Sequence, residues 1–277
     1  MLNEEIITSR SNPLVKFASG LADKKGRREA SSFMAEGLKL ALEAISERLP
    51  ITHILINEAD RDVVLPKINL ALSRAELEDV DIYVLGQSAF EKISTEKAPQ
   101  GVITIIKYLD FSINADIIYK EDFFLSESER AVVLCSVRDP LNLGAIIRSA
   151  VAFGIEHIIL TGDCADVYNP KTIRSAMGGI FKVKITVVRS LSDFVSMARN
   201  SGRRVFAAEL TESAMSITEA ELSALDLILI GNEGHGIPQE VSSACNGSVY
   251  IPIGGGIESL NASVAAAVLM WEQTKKK

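Results

Sequence analysis

Six short runs in the second half of the chain are apolar almost without interruption. They are AVVLCSV (131–137), HIIL (157–160), VKITVV (183–188), RRVFAA (203–208), LDLILIG (225–231) and SVYIPI (248–253). A strand with one face in water alternates polar and apolar residues; these runs do not, so both of their faces must be covered. Helical patterns separate them, and the spacing predicts a last helix over 259–274. This order of elements implies an α/β domain built on a parallel sheet with helices on both faces. Ligands of such sheets bind beyond the carboxyl ends of the strands, so function is sought in the segments that follow the runs.

The first half alternates on a smaller scale. Helical periodicity over 33–49 (Leu38, Leu42, Ile45, Leu49) is followed by a strand at 52–57 and a helix at 63–77. A strand at 81–85, a short helix at 88–94 and a strand at 101–106 complete the pattern. A length of 277 residues accommodates two domains. The boundaries read as a first α/β domain over 1–107, a mixed and acidic linker over 108–130, and the strand-rich domain over 131–277.

The net charge of -7 makes the whole chain no polycation. Its cations are unevenly placed, however. Arg10, Lys16, Lys24, Lys25, Arg27 and Arg28 face one acid, Asp23, in the leading segment. Such a stretch reads equally as a solvated helix face or as a surface for backbone phosphates. The three cysteines, Cys135, Cys164 and Cys245, are far apart, and no second His or Cys accompanies His235, so neither a disulfide framework nor a metal site is expected. The start of the chain lacks an apolar signal core, and no run of about twenty apolar residues occurs, so a cytoplasmic protein without membrane contact is expected.

Three corners rich in glycine and polar residues follow the apolar runs. The first, DPLNLGAIIR (139–148), places Asn142, Gly144 and Arg148 at the start of an apolar helix. The second is IGNEGHGIP (230–238), and the third is IPIGGGIESLNASVAAA (251–267). Read alone, Arg148 could be solvent-facing or ion-paired, the second corner a tight strand-to-helix turn, and Ser259 a helix cap. A nicotinamide-binding fingerprint fails on position, because the glycine clusters follow late strands rather than the first.

Together, in this order and at this separation, the corners resemble the three motifs of the SpoU (TrmH-type) branch of the SPOUT RNA methyltransferases. The matching residues are Asn142, Gly144 and Arg148; Gly231 to Gly234; and Ile251, Pro252, Gly255 and Glu258 through Ala265. KTIRSAMGGIF (171–181) resembles the segment that this family carries between its first two motifs. FMAEGLKLALEAI (33–45) is similar, more loosely, to the start of the ribosomal-protein-like RNA-binding domain that precedes many SpoU domains. Two departures stand out: Ile253 occupies a position where many members have Met, and Gly254 to Gly256 is richer in glycine than usual.

The resemblance implies a deep trefoil knot in the C-terminal domain, with S-adenosylmethionine held there by the main chain of Gly231, Ile251 and Leu260. It implies methyl transfer to a ribose 2′-hydroxyl of RNA, with 23S ribosomal RNA as the expected substrate. Asn142, Arg148, Glu233, Ser259 and Asn261 are the implied catalytic residues, with Glu233, Ser259 and Asn261 fixing Arg148. It also implies a homodimer through the knotted domain, RNA gripped by the first domain together with Arg10, Lys16, Lys24, Lys25, Arg27 and Arg28, and no metal. The competing readings are a non-catalytic RNA-binding or ribosome-assembly factor of the same fold, a tRNA 2′-O-methyltransferase, and a small-molecule enzyme using the same cofactor.

Overall fold

A computed structural model of the chain describes residues 2–275 apart from 4, 110–124, 127, 233, 235, 255, 257 and 258. Most of the expected linker therefore lies outside the described residues. The elements run α1 (Pro13–Gly20), α2 (Lys24–Ala30), β1 (Ser32–Glu36), α3 (Leu38–Ser46), β2 (Ile51–Asn57), α4 (Arg61–Ala75), β3 (Asp81–Leu85), α5 (Gln87–Ile93) and β4 (Val102–Lys107). They continue with β5 (Ala131–Leu134), α6 (Pro140–Ala152), β6 (His157–Thr161), α7 (Pro170–Ala176), β7 (Lys184–Val188), α8 (Leu191–Asn200) and β8 (Val205–Ala208). The last are β9 (Met215–Ser216), β10 (Leu227–Ile230), α9 (Gln239–Ser242), β11 (Gly247–Tyr250) and α10 (Ala262–Thr274).

The chain divides into two compact units. The first holds residues 1–110 together with 166–181, and the second holds 111–165 and 182–277. Residues 166–181 thus leave the second unit between β6 and β7 and fold with the first.

In the first unit the sheet order is β1-β4-β2-β3. β4 runs antiparallel to β1 and β2, and β2 runs parallel to β3. The helical periodicity expected from Phe33 onward is corrected here. Residues 33–36 are strand, with Phe33 opposite Ile106, and Phe33, Met34 and Ala35 are all buried. Gly37, at φ 116, separates this strand from α3. Three apolar residues followed by Glu36 carry too little period to distinguish strand from helix, and pairing with β4 decides it.

Arg27 is the deepest charge in this unit, with 1% exposure. Its Nη1 donates to the carbonyls of Leu21 and Ala22 at 2.9 and 2.7 Å, and its Nη2 to Asp166 at 2.6 Å. The inserted segment is further seated by Tyr168, which stacks on Phe33 and Tyr108 at 4.5 and 4.2 Å and whose hydroxyl accepts the Leu109 N–H at 2.9 Å. Replacing Asp166 by Ala strands a buried cation and should cost about 3–5 kcal/mol in chemical denaturation.

In the second unit the order is β7-β6-β5-β10-β8-β11-β9, with every neighbouring pair parallel, as the uninterrupted apolar runs predict. The chain builds outward from β5 through β6 and β7, and later strands fill the other side starting with β10. The topological switch therefore lies between β5 and β10, and the crevice beyond their carboxyl ends is the expected ligand position.

The amino ends of the same strands carry a polar belt. Lys184 donates to Glu129 at 2.9 Å, His157 Nδ1 lies 3.3 Å from the same carboxylate oxygen, and His157 Nε2 meets Thr186 Oγ1 at 2.8 Å. Gln273, fully buried near the end of α10, donates Nε2 to the carbonyls of Ala131 and Asp226 at 3.1 and 2.8 Å. The last helix is thereby tied to the starts of β5 and β10.

Acid should weaken this belt in two stages. Burial lowers the pKa of His157 below the ordinary 6.5 against the pull of Glu129. The fold thus favours the neutral ring, and that stability is lost as pH falls below about 6.5. Burial alone would raise the Glu129 carboxyl, but the Lys184 hydrogen bond, the His157 ring and the Ser126 N–H bring it below the ordinary 4.5. Its contribution is present above that value and lost as pH falls further. Urea midpoints measured across pH should show both stages, with His157→Gln shrinking the upper and Glu129→Gln the lower.

Candidate active site

Three loops meet the switch point. The β5–α6 loop turns sharply, with Ser136 at φ 56, and α6 then starts on Asp139, whose carboxylate accepts the Leu141 N–H at 2.7 Å, and on Pro140 at the first helical position. Asn142 therefore stands in the first turn of α6. The last helix starts later than the pattern predicts, at Ala262 rather than at 259. Asn261, not Ser259, is its cap: Oδ1 accepts from the Ser263 N–H at 3.0 Å and the Ser263 hydroxyl at 2.6 Å. The same Asn261 donates Nδ2 to Asn142 Oδ1 at 3.0 Å. The first and third corners, 119 residues apart at these two asparagines, are joined by that bond.

The second corner closes on itself. Gly236 N–H donates to the Asn232 carbonyl at 3.1 Å, and Gly234 N–H to the Asn232 side chain at 2.8 Å. A Cβ on Gly231 would stand 2.6 Å from the Gly236 carbonyl carbon, so only glycine fits there. Conversely, a Cβ at Gly236, Gly254 or Gly256 would meet nothing within 4 Å among the described residues. These loops leave open space beside backbone that a flat, polar ligand can approach. Ile251 and Leu260 are half-buried at the same edge. Gly231, Ile251 and Leu260 bring no side-chain hydrogen-bonding group, so the residues present fit a nucleoside read by main-chain N–H and C=O groups.

Arg148 is exposed on α6, and no ion pair or hydrogen bond of its guanidinium is found among the described residues. At 3.6 residues per turn it shares a face with Leu141, about 120° from Asn142. Ser259 is exposed, and Glu233 lies outside the described residues. The geometry brings Asn142 and Asn261 together and leaves Arg148 turned outward.

Arg138 escaped the sequence reading. Its guanidinium reaches Asp163 at 2.8 Å, and Thr161 Oγ1 both donates to Asp163 at 2.7 Å and accepts the Ser136 N–H at 2.9 Å. Burial would raise the Asp163 carboxyl, but hydrogen bonds from Arg138, Thr161 and Ser136 and the Arg138 charge hold it at about 2. An arginine held by a fixed carboxylate at the mouth of the β5–α6 loop can meet a phosphate. Only its place just before Asp139 hinted at this.

Of the six leading cations, Arg10, Lys16, Lys24, Lys25 and Arg28 are exposed. Arg27 is the exception, and its expected role in gripping RNA is corrected: it is buried, and its nitrogens are bound to Asp166 and two carbonyls. Among the described residues no group of three or more His, Cys, Asp or Glu side chains could hold a metal ion, and no helix is long and apolar enough to cross a membrane.

Comparison with known proteins bears on the family and the fold. The MRM3-like substrate binding domain matches residues 12–104. The chain is 30% identical, over 96% of its length and 97% of the relative's, to the 23S rRNA (guanosine(2553)-2′-O)-methyltransferase RlmP of Bacillus subtilis (strain 168). It is 27% identical, over 98% and 92% of the two chains, to the 23S rRNA (uridine(2479)-2′-O)-methyltransferase of Streptomyces viridochromogenes. The crystal structure of an AdoMet-bound rRNA methyltransferase from Sinorhizobium meliloti shares the fold at a TM-score of 0.82 and 29% identity, covering 98% of this chain and 97% of that one. The SpoU rRNA methylase family model matches residues 129–271, and the chain belongs to that family.

Proposed function

We propose that this protein transfers a methyl group from S-adenosylmethionine to a ribose 2′-hydroxyl of RNA, with 23S ribosomal RNA as its substrate. The observation that carries the reading is the Asn142–Asn261 bond at the switch point, which joins the first and third family motifs. The relatives named above support the substrate class. By name, one acts on a guanosine and the other on a uridine.

The bound cofactor supplies a methyl group already activated as a sulfonium. Gly231, Ile251 and Leu260 hold it through their main chains. Asn142, fixed by Asn261, orients the ribose, and the family motifs assign Ser259 and Glu233 to the same reaction. Alignment of the hydroxyl oxygen supplies much of the rate. Arg148 is a poor proton acceptor, because a guanidinium holds its proton tightly. Its task is to bind the phosphate beside the target ribose and stabilise the oxygen as its proton leaves, with a phosphate oxygen or water taking that proton.

The outward face of Arg148 fits a homodimer. Leu141 on α6 is 53% exposed, and Val264 and Trp271, seven residues apart on α10, are 49% and 57% exposed. Trp271 meets Phe153, which caps the end of α6, edge-on at 5.9 Å, so apolar side chains lie exposed on both helices. A second copy covering them would enclose Arg148 near the site. The trefoil knot is part of the same proposal, supported by the tight Gly231–Gly236 approach and by the tie of Gln273 to β5 and β10. The first unit, with Arg10, Lys16, Lys24, Lys25 and Arg28, grips RNA. The protein acts in the cytoplasm.

Labelled methyl transfer to unmodified 23S rRNA tests the reaction. Wild type should label one nucleotide and make its ribose linkage resist alkali. Arg148→Ala should lose about 10²–10³-fold in rate while still binding cofactor. Gly231→Ala should abolish cofactor binding, read by calorimetry, because the loop must open. Trp271→Glu should yield monomers in light scattering and lose activity. Transfer that survives Arg148→Ala unchanged would remove this assignment of the site.

A further inference from the structure

At the amino ends of the strands, on the edge of the second unit opposite Asn142 and Asn261, lies an open cavity of about 370 Å³. Arg199, Arg203, Arg204, Asn200 and Asn246 line it. The strands between the two edges are four to five residues long, or about 13–17 Å, so this cavity is not part of the methyl-transfer site.

Its arginines are held in place by bonds that leave part of each guanidinium unused. Arg199 Nη1 donates to the Ala244 carbonyl at 2.7 Å. Arg203 donates Nη1 to Leu225 at 3.1 Å, and Nη2 to the carbonyls of Ser126 and Glu129 at 2.5 and 2.8 Å. Arg204 grips Asp226 through Nε and Nη2 at 2.9 and 2.5 Å. Asn246 accepts the Val205 N–H at 2.8 Å. Among the described residues, Nε and Nη2 of Arg199, Nε of Arg203, Nη1 of Arg204 and Nδ2 of Asn246 have no partner.

The charges do not cancel. Asp226 answers Arg204, and Glu129 is already engaged by Lys184. Arg203 hydrogen-bonds only neutral carbonyls, and burial works against its charge despite Glu129 nearby. Arg199 has no carboxylate partner among the described residues. Fixed guanidinium groups with free N–H donors around an open cavity suit an anion with several acceptor oxygens, such as a phosphate. A second open groove along α8 shares Ser196 and Asn200 with the cavity and has Asp193 as its acid. An open cavity suits a phosphodiester chain better than a closed small-molecule pocket would.

Resting on the RNA methyltransferase reading, we propose that the Arg199–Arg203–Arg204 cavity is a second RNA contact, which binds backbone phosphate remote from the methylated nucleotide. It makes the enzyme favour a long folded RNA over a short strand carrying the target alone.

The test measures binding of an unmodified 23S rRNA transcript by anisotropy across salt concentrations, alongside methyl transfer to it. Arg199→Gln is the main variant, because Arg199 makes one carbonyl contact and its loss should leave the fold intact; melting checks this. Asn200→Asp, which adds a negative charge at the cavity, is the second, and Arg199→Lys is the conservative control. Arg199→Gln and Asn200→Asp should each weaken binding about threefold or more, and Arg199→Gln should reduce the salt slope by about 1. Arg199→Lys should retain the slope. Folded variants with wild-type affinity and slope, beside a wild type that methylates the transcript, would overturn this inference and leave the proposed function standing. A wild type that neither binds nor methylates the transcript would overturn both. Calorimetry with inorganic phosphate separates the remaining source: phosphate binding abolished by Arg199→Gln, with RNA binding unchanged, would make this a small-anion site and refute the RNA contact.

Discussion

The side chain of Asn261 holds the candidate site together. Its oxygen sets where α10 begins, and its amide nitrogen holds Asn142. A helix cap is ordinarily worth about 1 kcal/mol. Here the capping side chain also spans two loops separated by most of the domain. Asn142 cannot move without disturbing the start of the last helix. At its other end, that helix is tied through Gln273 to the amino ends of β5 and β10. The same two strands flank the switch point. Position at the site is thus referred back to the sheet at both ends of one helix, which is how a short amide side chain can hold a fixed place on a surface loop.

The parallel sheet divides its two edges by function. Strand dipoles and unpaired carbonyls leave both edges polar, and each must be satisfied. At the amino edge the chain does this with charged and polar groups that bond to one another and to carbonyls: Lys184, the His157 ring, Glu129, Arg203 and the Arg204–Asp226 pair. At the carboxyl edge the solutions are capping side chains and glycine turns, which leave backbone open to a ligand. Among the described residues, fixed charge there sits at Asp139, in the Arg138–Asp163 pair beside Thr161, and at Glu209, which accepts from Ser248.

Much of this was legible in the sequence. The apolar runs gave the parallel sheet because continuous burial of both faces has few other solutions. The three corners could be found because their chemistry depends on local spacing: glycine for close approach, and Asn and Arg on the helix that follows. The run at Phe33 fits either period because only three apolar residues precede Glu36, and the partner strand resolves it. The insertion of residues 166–181 into the first unit was not visible at all. It depends on a cation at position 27 meeting a carboxylate 139 residues later, and no local pattern encodes that.

Arg27 also shows why a count of charges is a poor guide to a binding surface. In sequence it stands beside Arg28 in one basic stretch, and the two look alike. In the fold one is 1% exposed and fully used within the protein, whereas the other faces water. Burial is affordable for Arg27 because a carboxylate and two carbonyls replace the water it gives up, which a lysine, with its compact and strongly hydrated charge, would do less well. The argument runs the other way for Arg148. Its guanidinium stays exposed with no partner among the described residues, so under the function proposed above the groups that replace its water are those of the RNA phosphate and of a second copy of the chain.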